Sequence, residues 1–293
     1  MLPRVGIVGA GRMGSRMGTN LLDAGYELTV FDLDEERVDA LVQRGATGAT
    51  SASDVAAQSD VVLTSLPHTE AVEETYLGDD GLVFAAREGS VLMETSTVVP
   101  EAIEAIDEAL ADRDVEFVDA PVIGTPVEAA AATLTIVVGS TAAAFDRVDD
   151  LLATLGDRVE HVGRPGQGKR LKLANNVMTY GNFAIAAEMF AVVSRLGIDP
   201  ELFFDVTQSG VAQAAIVETK APKLFERDFT PGFTFEGVLK DLRYCLDMKT
   251  ETGVATPLAS TVVEQYVLGA RVAGPETDYA ALVDALTDLD VEV

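Results

Sequence analysis

The feature of this sequence that most constrains its fold is a regular alternation within the first 160 residues. Short apolar runs rich in β-branched residues are separated by longer, amphipathic, alanine-rich segments. Strands that alternate with segments of helix length are typical of βαβ units, so the pattern predicts a mostly parallel sheet flanked by helices. The predicted strands are RVGIV (4–8), YELTVFD (26–32), DVVLTSLP (60–67), SVLMETS (90–96), VEFVDAP (115–121) and TLTIVVGS (133–140).

After about residue 166 the strand signals stop, and the chain reads as a series of helices. The first and longest predicted helix contains LKLANNVMTYGNFAIAAEMFAVVSRLG at residues 171–197. Glycine and proline end helices, and breaks of this kind recur at Gly197–Pro200, Ser209–Gly210, Thr230–Pro231, Gly253–Pro257 and Gly274–Pro275. We therefore predict an α/β domain at residues 1–165 and an all-α domain at residues 166–293.

Charge and composition limit the classes of partner. The chain carries 48 Asp and Glu against 21 Lys and Arg, a net charge of −27, which disfavours nucleic acid and anionic membranes as partners. The acidic residues are spread along helical segments, as expected of a halophilic protein whose self-repulsion is screened in a salt-rich cytoplasm. No apolar run approaches the roughly 20 residues that cross a bilayer, and no signal peptide is evident, so we expect a cytoplasmic protein. With a single cysteine and two histidines in no triad or metal-ligand spacing, we predict no metal site and no hydrolase.

A glycine motif follows the first predicted strand directly. Gly9, Gly11 and Gly14 form GxGxxG between that strand and the start of a helix. In this context the pyrophosphate of a dinucleotide lies on the helix N-terminus. A bare GxGxxG is also compatible with a structural turn, but here the strand, the helix and the next strand all fall where the dinucleotide fingerprint requires them. We predict a dinucleotide site that also includes Arg12 and Met13.

The second predicted strand ends in Asp32, 23 residues after Gly9. A carboxylate at this place hydrogen-bonds the ribose hydroxyls of NAD and repels the 2′-phosphate of NADP. The acidic residues at 34–36 add to the negative field, and the nearest cation, Arg37, lies in the following helix. The alternative is that Asp32 only caps that helix, as Asp often does. We expect NAD to be preferred over NADP.

Six motifs in order along nearly the whole chain make a specific resemblance. The sequence resembles the β-hydroxyacid dehydrogenases, a family that includes 3-hydroxyisobutyrate dehydrogenase and tartronate semialdehyde reductase. The resemblance implies an α/β Rossmann-like N-terminal domain, a long interdomain helix and an all-α C-terminal domain that forms homodimers or homotetramers. The motifs are GIVGAGRMG (6–14), SLP (65–67), ETST (94–97), DAPVIG (119–124), GQGKRLKLANN (166–176) and GFTFEGVLKDL (232–242).

The resemblance implies that Lys172 is the catalytic lysine and that Asn176 is its partner in holding substrate. At i and i+4 both side chains project from one face of a helix, whose apolar continuation would bury the lysine stem. An ammonium there can give a proton to a carbonyl oxygen as hydride arrives, and an amine can take one from a hydroxyl as hydride leaves. On spacing alone, a solvated lysine near a helix start is the simpler interpretation.

Two further groups of site residues are implied by the resemblance alone. Phe233 and Asp241 are expected to bind substrate, and Lys240 is expected near the nicotinamide. The residues expected in the cofactor cleft are Leu66, Pro67 and Thr97. Lys169 and Arg170 have no counterpart in the family motif, so we expect only a surface or cofactor-adjacent role for them.

The turn after DAPV departs from the family pattern. Family members carry Ser-Gly-Gly or Ser-Gly-Ser there, and the serine hydroxyl and backbone N–H groups hold the substrate carboxylate. This sequence has Ile123, Gly124 and Thr125. We expect the N–H groups of Gly124 and Thr125 to bind an anion, with the Thr125 side chain as a substitute for the serine. The predicted reaction is NAD-dependent hydride transfer to or from a small 3-hydroxy acid or its semialdehyde, and the identity of the acid stays open.

Rival functions differ at a few positions. A short-type 6-phosphogluconate dehydrogenase would carry His where Lys169 and Asn175 stand, together with a basic phosphate-binding cluster. An imine reductase would replace the catalytic lysine. A non-catalytic NAD-binding module would not require the intact pair of Lys172 and Asn176. Other family reductases, such as those acting on 4-hydroxybutyrate, stay open as alternatives.

Overall fold

The chain folds as an α/β unit followed by a helical unit. The computed structural model describes residues 2–287, except for the side chains of residues 249–251. Within that range the chain divides into two compact units between Lys172 and Leu173, which we call the first and the second unit. All strands longer than a single bridge that the described residues contain lie in the first unit, so the predicted fold class is confirmed.

The first unit is built on one nine-stranded sheet. Its strands are β1 (Val5–Val8), β2 (Leu28–Phe31), β3 (Thr47–Gly48), β4 (Val61–Thr64), β5 (Ser90–Glu94), β6 (Val115–Asp119), β7 (Val122–Ile123), β8 (Leu134–Ser140) and β9 (Gly156–Gly163). Strands 3-2-1-4-5-6 lie in that order and all pair in parallel, which is the strand order of dinucleotide-binding Rossmann sheets. β8 pairs antiparallel with β6 and β7, and parallel with β9.

Both faces of this sheet are buried, which explains why its strands read as continuous apolar runs. Ile7 and Leu63 belong to one core cluster, whereas Val62 and Leu92 belong to the other. Successive residues of a strand point to opposite faces, so the two clusters are the two sides of the sheet. The helices that flank it are α1 (Gly14–Asp23), α2 (Glu35–Val42), α3 (Ala52–Gln58), α4 (Thr69–Leu77), α5 (Leu82–Ala85), α6 (Pro100–Leu110), α7 (Pro126–Ala131) and α8 (Ala142–Leu155).

The predicted helix breaks all fall between observed helices. Helix α9 (Gln167–Arg195) begins in the first unit and runs on as the first helix of the second. It is followed by α10 (Pro200–Gln208), α11 (Ala215–Glu226), α12 (Phe235–Thr252), α13 (Pro257–Ala273), a 3-10 turn (Tyr279–Ala281) and α14 (Leu282–Thr287).

Helix α9 corrects the expectation that no apolar segment approaches membrane-spanning length. An 18-residue window of this 29-residue helix has a mean hydropathy of 1.3, enough by length and composition to cross a bilayer. However, Phe183, Ala184 and Ala187 on one face are buried in the core of the second unit, with Phe235 and Leu282. A core helix of a folded domain passes the same hydropathy test, and this burial accounts for the apolar residues on that face of α9.

Strands β3, β7 and β9 were not predicted. β3 and β7 have only two residues each. β9 escapes detection because its sequence GDRVEHVG is rich in charge, with Asp157, Arg158, Glu160 and His161 all exposed. β9 pairs only with β8, and charged residues on such an edge strand prevent pairing with other chains.

Candidate active site

The loop after β1 has the backbone geometry that the glycine motif predicts. Gly9 has a φ of +93°, and a Cβ atom there would lie 2.3 Å from the carbonyl oxygen of Ser65. A Cβ atom at Gly14 would lie 1.9 Å from the carbonyl oxygen of Gly9. By contrast, apart from its two chain neighbours, none of the described residues has an atom within 4 Å of the place that a Cβ of Gly11 would occupy. Packing therefore requires Gly9 and Gly14, whereas Gly11 leaves room for the close approach that a pyrophosphate makes to this backbone.

Asp32 is tied to this glycine loop and does not cap the next helix. The N-cap of α2 is Asp34, whose side chain accepts from the N–H of Glu36. The carboxylate of Asp32 accepts from the N–H of Ala10 at 2.7 Å and from the N–H of Asp34 at 2.9 Å. Each carboxylate oxygen can accept more than one hydrogen bond, so a ribose hydroxyl can still donate to Asp32. The guanidinium of Arg37 lies 3.6 Å from the Asp32 carboxylate.

The other predicted cofactor residues of the first unit lie in loops at the same edge of the sheet. Arg12 and Met13 precede α1, Leu66 and Pro67 follow β4, and Thr97 follows β5. Arg12 and Pro67 are exposed, whereas the other three are half-buried. Because β1, β4 and β5 are parallel, these loops leave the carboxyl edge, where doubly wound sheets bind ligands.

Hydrogen bonds connect the loops after β4 and β5. The N–H of Leu66 donates to the hydroxyl of Ser96 at 2.7 Å. The N–H of Ser96 donates in turn to Oε1 of Glu94 at 2.8 Å. The predicted cleft residue Leu66 is thus held through Ser96 by Glu94, the last residue of β5.

Lys169 is fully buried, which corrects the expectation of a surface residue, whereas a place next to the cofactor stays a prediction. Its ammonium lies 2.7 Å from Oε2 of Glu94 and 2.9 Å from Oδ1 of Asp119, and neither carboxylate is exposed. It also donates to the carbonyl oxygen of Glu94 at 3.0 Å. These partners lie at the ends of β5 and β6. Arg170, the next residue, instead forms an ion pair with Glu104 of α6 at 2.7 Å.

Lys172 and Asn176 lie one turn apart on α9, as their spacing predicts. The residues are 8% and 4% exposed, so neither is a solvated surface residue. Tyr180 continues the same line one turn further and is 6% exposed. One face of α9 thus presents an amine, an amide and a phenol in succession.

Asp241 of α12 binds two of these α9 side chains. Its Oδ2 accepts from Nδ2 of Asn176 at 2.9 Å and from the hydroxyl of Tyr180 at 3.0 Å. Because a carboxylate only accepts, it fixes which end of the Asn176 amide faces it. Burial, and then the charge of Asp241, raises the pKa of Tyr180 well above its ordinary value, so the phenol stays a donor. The ammonium of Lys240 lies 3.5 Å from the other Asp241 oxygen.

The loop before α12 is held by Asp278, which sequence analysis missed. Asp278 is fully buried and accepts from the N–H groups of Gly232 and Phe233 at 2.8 and 3.1 Å. Its other oxygen accepts from Lys220 at 2.7 Å. The Phe233 ring lies parallel to that of Tyr180, at 6.3 Å between centroids. Asp278 therefore orients the aromatic residue that the resemblance assigns to substrate.

The turn at Ile123, Gly124 and Thr125 carries a carboxylate of its own. Ile123 ends β7, Gly124 has a φ of +144°, and Thr125 is the N-cap of α7. The N–H of Thr125 donates to Oε2 of Glu128 at 2.7 Å, and its hydroxyl donates to the same oxygen. These bonds from Thr125 outweigh burial and lower the pKa of Glu128. Any anion at this turn must therefore compete with Glu128 for the donors of Thr125.

Two family profiles match the chain end to end. Residues 4–163 match the NAD-binding domain of 6-phosphogluconate dehydrogenase, and residues 166–286 match a domain described as the NAD-binding domain of NADP-dependent 3-hydroxyisobutyrate dehydrogenase. The 2-(hydroxymethyl)glutarate dehydrogenase of Eubacterium barkeri is 32% identical over 96% of this chain and 93% of its own length. The chain belongs to the β-hydroxyacid dehydrogenase family.

Other members of the β-hydroxyacid dehydrogenase family are similar over the same extent. An NAD-dependent L-serine dehydrogenase of Pseudomonas aeruginosa is 33% identical over 96% of this chain and 97% of its own. The solved 3-hydroxyisobutyrate dehydrogenase of Mycobacterium tuberculosis, in a structure with L-serine, is 28% identical with a TM-score of 0.88, covering 98% of this chain and 99% of that one. Family membership makes this chain a nicotinamide-dependent oxidoreductase of the hydroxyacid dehydrogenase class.

Several residues that organise the site were not predicted from the sequence. Glu128 is one of them, and it had a local signal, because Thr125-Pro-Val-Glu128 is a capping-box pattern. No local pattern indicates the roles of the others, although three of them lie within the motifs ETST (94–97) and DAPVIG (119–124). They are Glu94, Ser96, Asp119, Lys169, Tyr180 and Asp278.

Proposed function

We propose that this β-hydroxyacid dehydrogenase prefers NAD and oxidises a small 3-hydroxy acid, or reduces its semialdehyde, with Lys172 as general acid and base. The observation that carries the proposal is the burial of Lys172 beside Asn176 on one face of α9. Burial disfavours the charged form of an amine, which suits a lysine that has to accept a proton. Residues 1–165 are assigned to the cofactor and residues 166–293 to substrate and assembly.

The proposed chemistry divides between the cofactor and the chain. A bound nicotinamide accepts or supplies the hydride. Lys172 takes the hydroxyl proton during oxidation and returns it during reduction. Asn176, oriented by Asp241, holds the oxygen that loses or gains that proton. Phe233 bounds the substrate, and Lys240 is assigned to the nicotinamide end.

The proposed cofactor preference rests on Asp32. Its carboxylate sits at the end of β2 and is tied to the glycine loop, where it would repel a 2′-phosphate. We expect kcat/KM with NAD to exceed that with NADP by about tenfold or more. Asp32→Asn keeps an acceptor for Ala10 but removes the charge, so it should bring the ratio close to one. Steady-state rates measured by absorbance of the reduced cofactor test this.

The matched control for Asp32→Asn is Asp34→Asn, which removes an equal charge from the adjacent helix cap. It should leave the cofactor ratio within about threefold of wild type, because the cap does not face the ribose position in the fingerprint. Equal use of NAD and NADP by the wild-type enzyme would take Asp32 out of its assigned role.

Glu128 limits how the proposed site can hold an acid. At roughly 4 Å two carboxylates repel by about 1 kcal/mol in water and about 4 kcal/mol in a partly buried site. Glu128→Gln keeps a capping box, for which Gln is suited, while it removes this charge. We expect the variant to lower KM for 3-hydroxy acids by roughly tenfold with Tm changed by no more than about 3 °C. A panel of 3-hydroxyisobutyrate, serine, glycerate and 3-hydroxypropionate measures this in initial rates.

The control for Glu128 is Glu101→Gln, an equal charge change in the first turn of α6. It should leave KM within about twofold, because α6 follows the β5 loop and not the turn at 123–125. An unchanged or higher KM in Glu128→Gln would show that no substrate anion reaches this turn.

The proposal also includes the oligomeric state of the protein. α9 exposes Met178, Ile185, Met189 and Val192 at intervals of three, four and seven residues. Such an apolar stripe is typical of helix pairing, which supports a homodimer or homotetramer.

The net charge of −27 supports a salt-rich cytoplasm without nucleic-acid or membrane partners. Sedimentation and melting across a KCl series test both proposals.

A further inference from the structure

Lys169 is the centre of a buried charge cluster that the proposed chemistry does not use. Its ammonium forms ion pairs with Glu94 Oε2 at 2.7 Å and Asp119 Oδ1 at 2.9 Å, and it donates a hydrogen bond to the Glu94 carbonyl oxygen at 3.0 Å. One cation thus lies between two buried carboxylates. We propose that Lys169 is a positioning residue whose ammonium holds the ends of β5 and β6 against the first turn of α9 and thereby sets the position of Lys172.

The second oxygen of each carboxylate extends the cluster to the loops around it. Asp119 Oδ2 accepts from the N–H groups of Gly166 and Lys169, at 2.9 and 3.1 Å, where α9 begins. Glu94 Oε1 accepts from the N–H of Ser96, which holds Leu66. The cluster therefore joins the loop after β4, the loop after β5 and the start of α9, all within the first unit.

Lys172 lies one helical turn beyond Lys169, so a rigid first turn of α9 fixes where its amine can reach. The backbone at Gly168 and Gly139 packs against the Asp119 carboxylate of the cluster. A Cβ atom on Gly168 would lie 2.8 Å from Asp119 Oδ2, and one on Gly139 would lie 3.1 Å from the same oxygen. The backbone at these two glycines thus approaches the Asp119 carboxylate closely, and catalytic geometry depends on rigid support of this kind.

The charge state of the cluster favours a fixed support over a proton carrier. Burial lowers the pKa of Lys169, but the charges of Asp119 and Glu94 outweigh it and raise the pKa overall. Burial raises the pKa of Asp119, and Lys169 opposes that effect. The other titratable group here is Tyr76 of α4, whose pKa is raised by burial and then by Glu94. Lys169 therefore stays protonated near neutral pH and cannot act as the base.

The first test is Lys169→Met, which leaves two carboxylates buried without their cation. Their folded pKa values should rise above the unfolded ones, so the folded state binds more protons and its stability falls as pH rises. We expect Tm to drop by about 10 °C at pH 8, and the deficit to shrink as the pH is lowered to 5.5. Arg170→Met, which removes an exposed ion pair from the same turn, should show a small, pH-independent change.

The second variant, Glu94→Gln, keeps the fold and breaks one link. In glutamine an NH2 group replaces one of the two carboxylate oxygens, and because NH2 only donates, the contact to Lys169 or the one to the N–H of Ser96 is lost. Because it also removes the excess negative charge of the cluster, we expect Tm to stay within about 3 °C of wild type. The positioning role rests on Lys172 as the acid and base, and it predicts a kcat at least tenfold lower, with NAD affinity within about threefold.

The outcomes distinguish the positioning role of Lys169 from the acid/base role of Lys172. Wild-type kcat in Glu94→Gln and in folded Lys169→Met, or a Lys169→Met deficit independent of pH, would overturn the role of Lys169. If Lys169→Met does not fold, Glu94→Gln alone decides. Full turnover in a Lys172 variant would instead overturn the acid/base assignment, while the pH-dependent melting would still report on the cluster.

Discussion

Replacing Lys172 with alanine should lower kcat by roughly 10²- to 10⁴-fold, the usual contribution of a positioned acid or base. NAD affinity should stay within a few-fold, because the glycine loop and Asp32 lie in other segments of the first unit. Lys172→Arg should lose nearly as much activity, since a guanidinium stays protonated and cannot accept the hydroxyl proton. In wild type, the rate of alcohol oxidation should rise with pH as the amine deprotonates. Stopped-flow reduction of NAD, with NAD binding as the folding control, measures these effects.

Two results would contradict the assignment of Lys172 as the general acid and base. Wild-type oxidation by Lys172→Arg, or retention of most turnover by Lys172→Ala, would show that the proton moves through another group. Lys240→Ala serves as the matched control, because it removes the lysine assigned to the nicotinamide end. It should affect cofactor binding more than the pH dependence of kcat.

The sequence predicted the elements whose signals are local. Each of the six β-branched runs became a strand because both faces of the sheet are buried, so every position favours an apolar residue. The same logic failed for β9, whose edge position allows charged residues. The long helix α9 was predicted, but its hydropathy was not: an 18-residue window has a mean hydropathy of 1.3, although no apolar run of membrane-spanning length was expected.

The site was predictable only where a motif carried the information. The glycine loop follows from local steric requirements, so sequence and structure agree there. Lys169 looks like a solvated lysine between Gly168 and Arg170, and its partner Glu94 lies 75 residues upstream. Its burial depends on the strand order of the sheet, which places β5 beside β6. When a charged residue is buried because of the strand order of the sheet, no pattern in the neighbouring sequence indicates that burial.

Glu128 is a case in which a readable signal was present. The spacing Thr125-x-x-Glu128 is that of a capping box, and the structure forms both of its bonds. Sequence analysis considered only the missing serine and expected the Thr125 donors to serve an anion. The observed bonds to Glu128 use the donors of Thr125 that were expected to bind an anion.

Two glycines of the cofactor loop allow fold and cofactor binding to be separated. A Cβ atom at Gly14 would meet the carbonyl oxygen of Gly9 at 1.9 Å, so Gly14→Ala must displace backbone. We expect its Tm without cofactor to fall by about 5–10 °C, since overpacking by a rigid contact costs about 1–3 kcal/mol. Differential scanning fluorimetry with and without NAD measures this change.

Gly11→Ala is the matched partner, because a Cβ atom there meets nothing within 4 Å. The apo protein should melt within about 1 °C of wild type. The added methyl group occupies the space needed for the pyrophosphate, and loss of a hydrogen bond to a charged group costs about 1.5–3 kcal/mol. We therefore expect the Kd for NAD to rise roughly 10- to 100-fold, as measured by calorimetry. Equal destabilisation of the two apo variants, or wild-type NAD affinity in Gly11→Ala, would contradict the placement of the pyrophosphate at this loop.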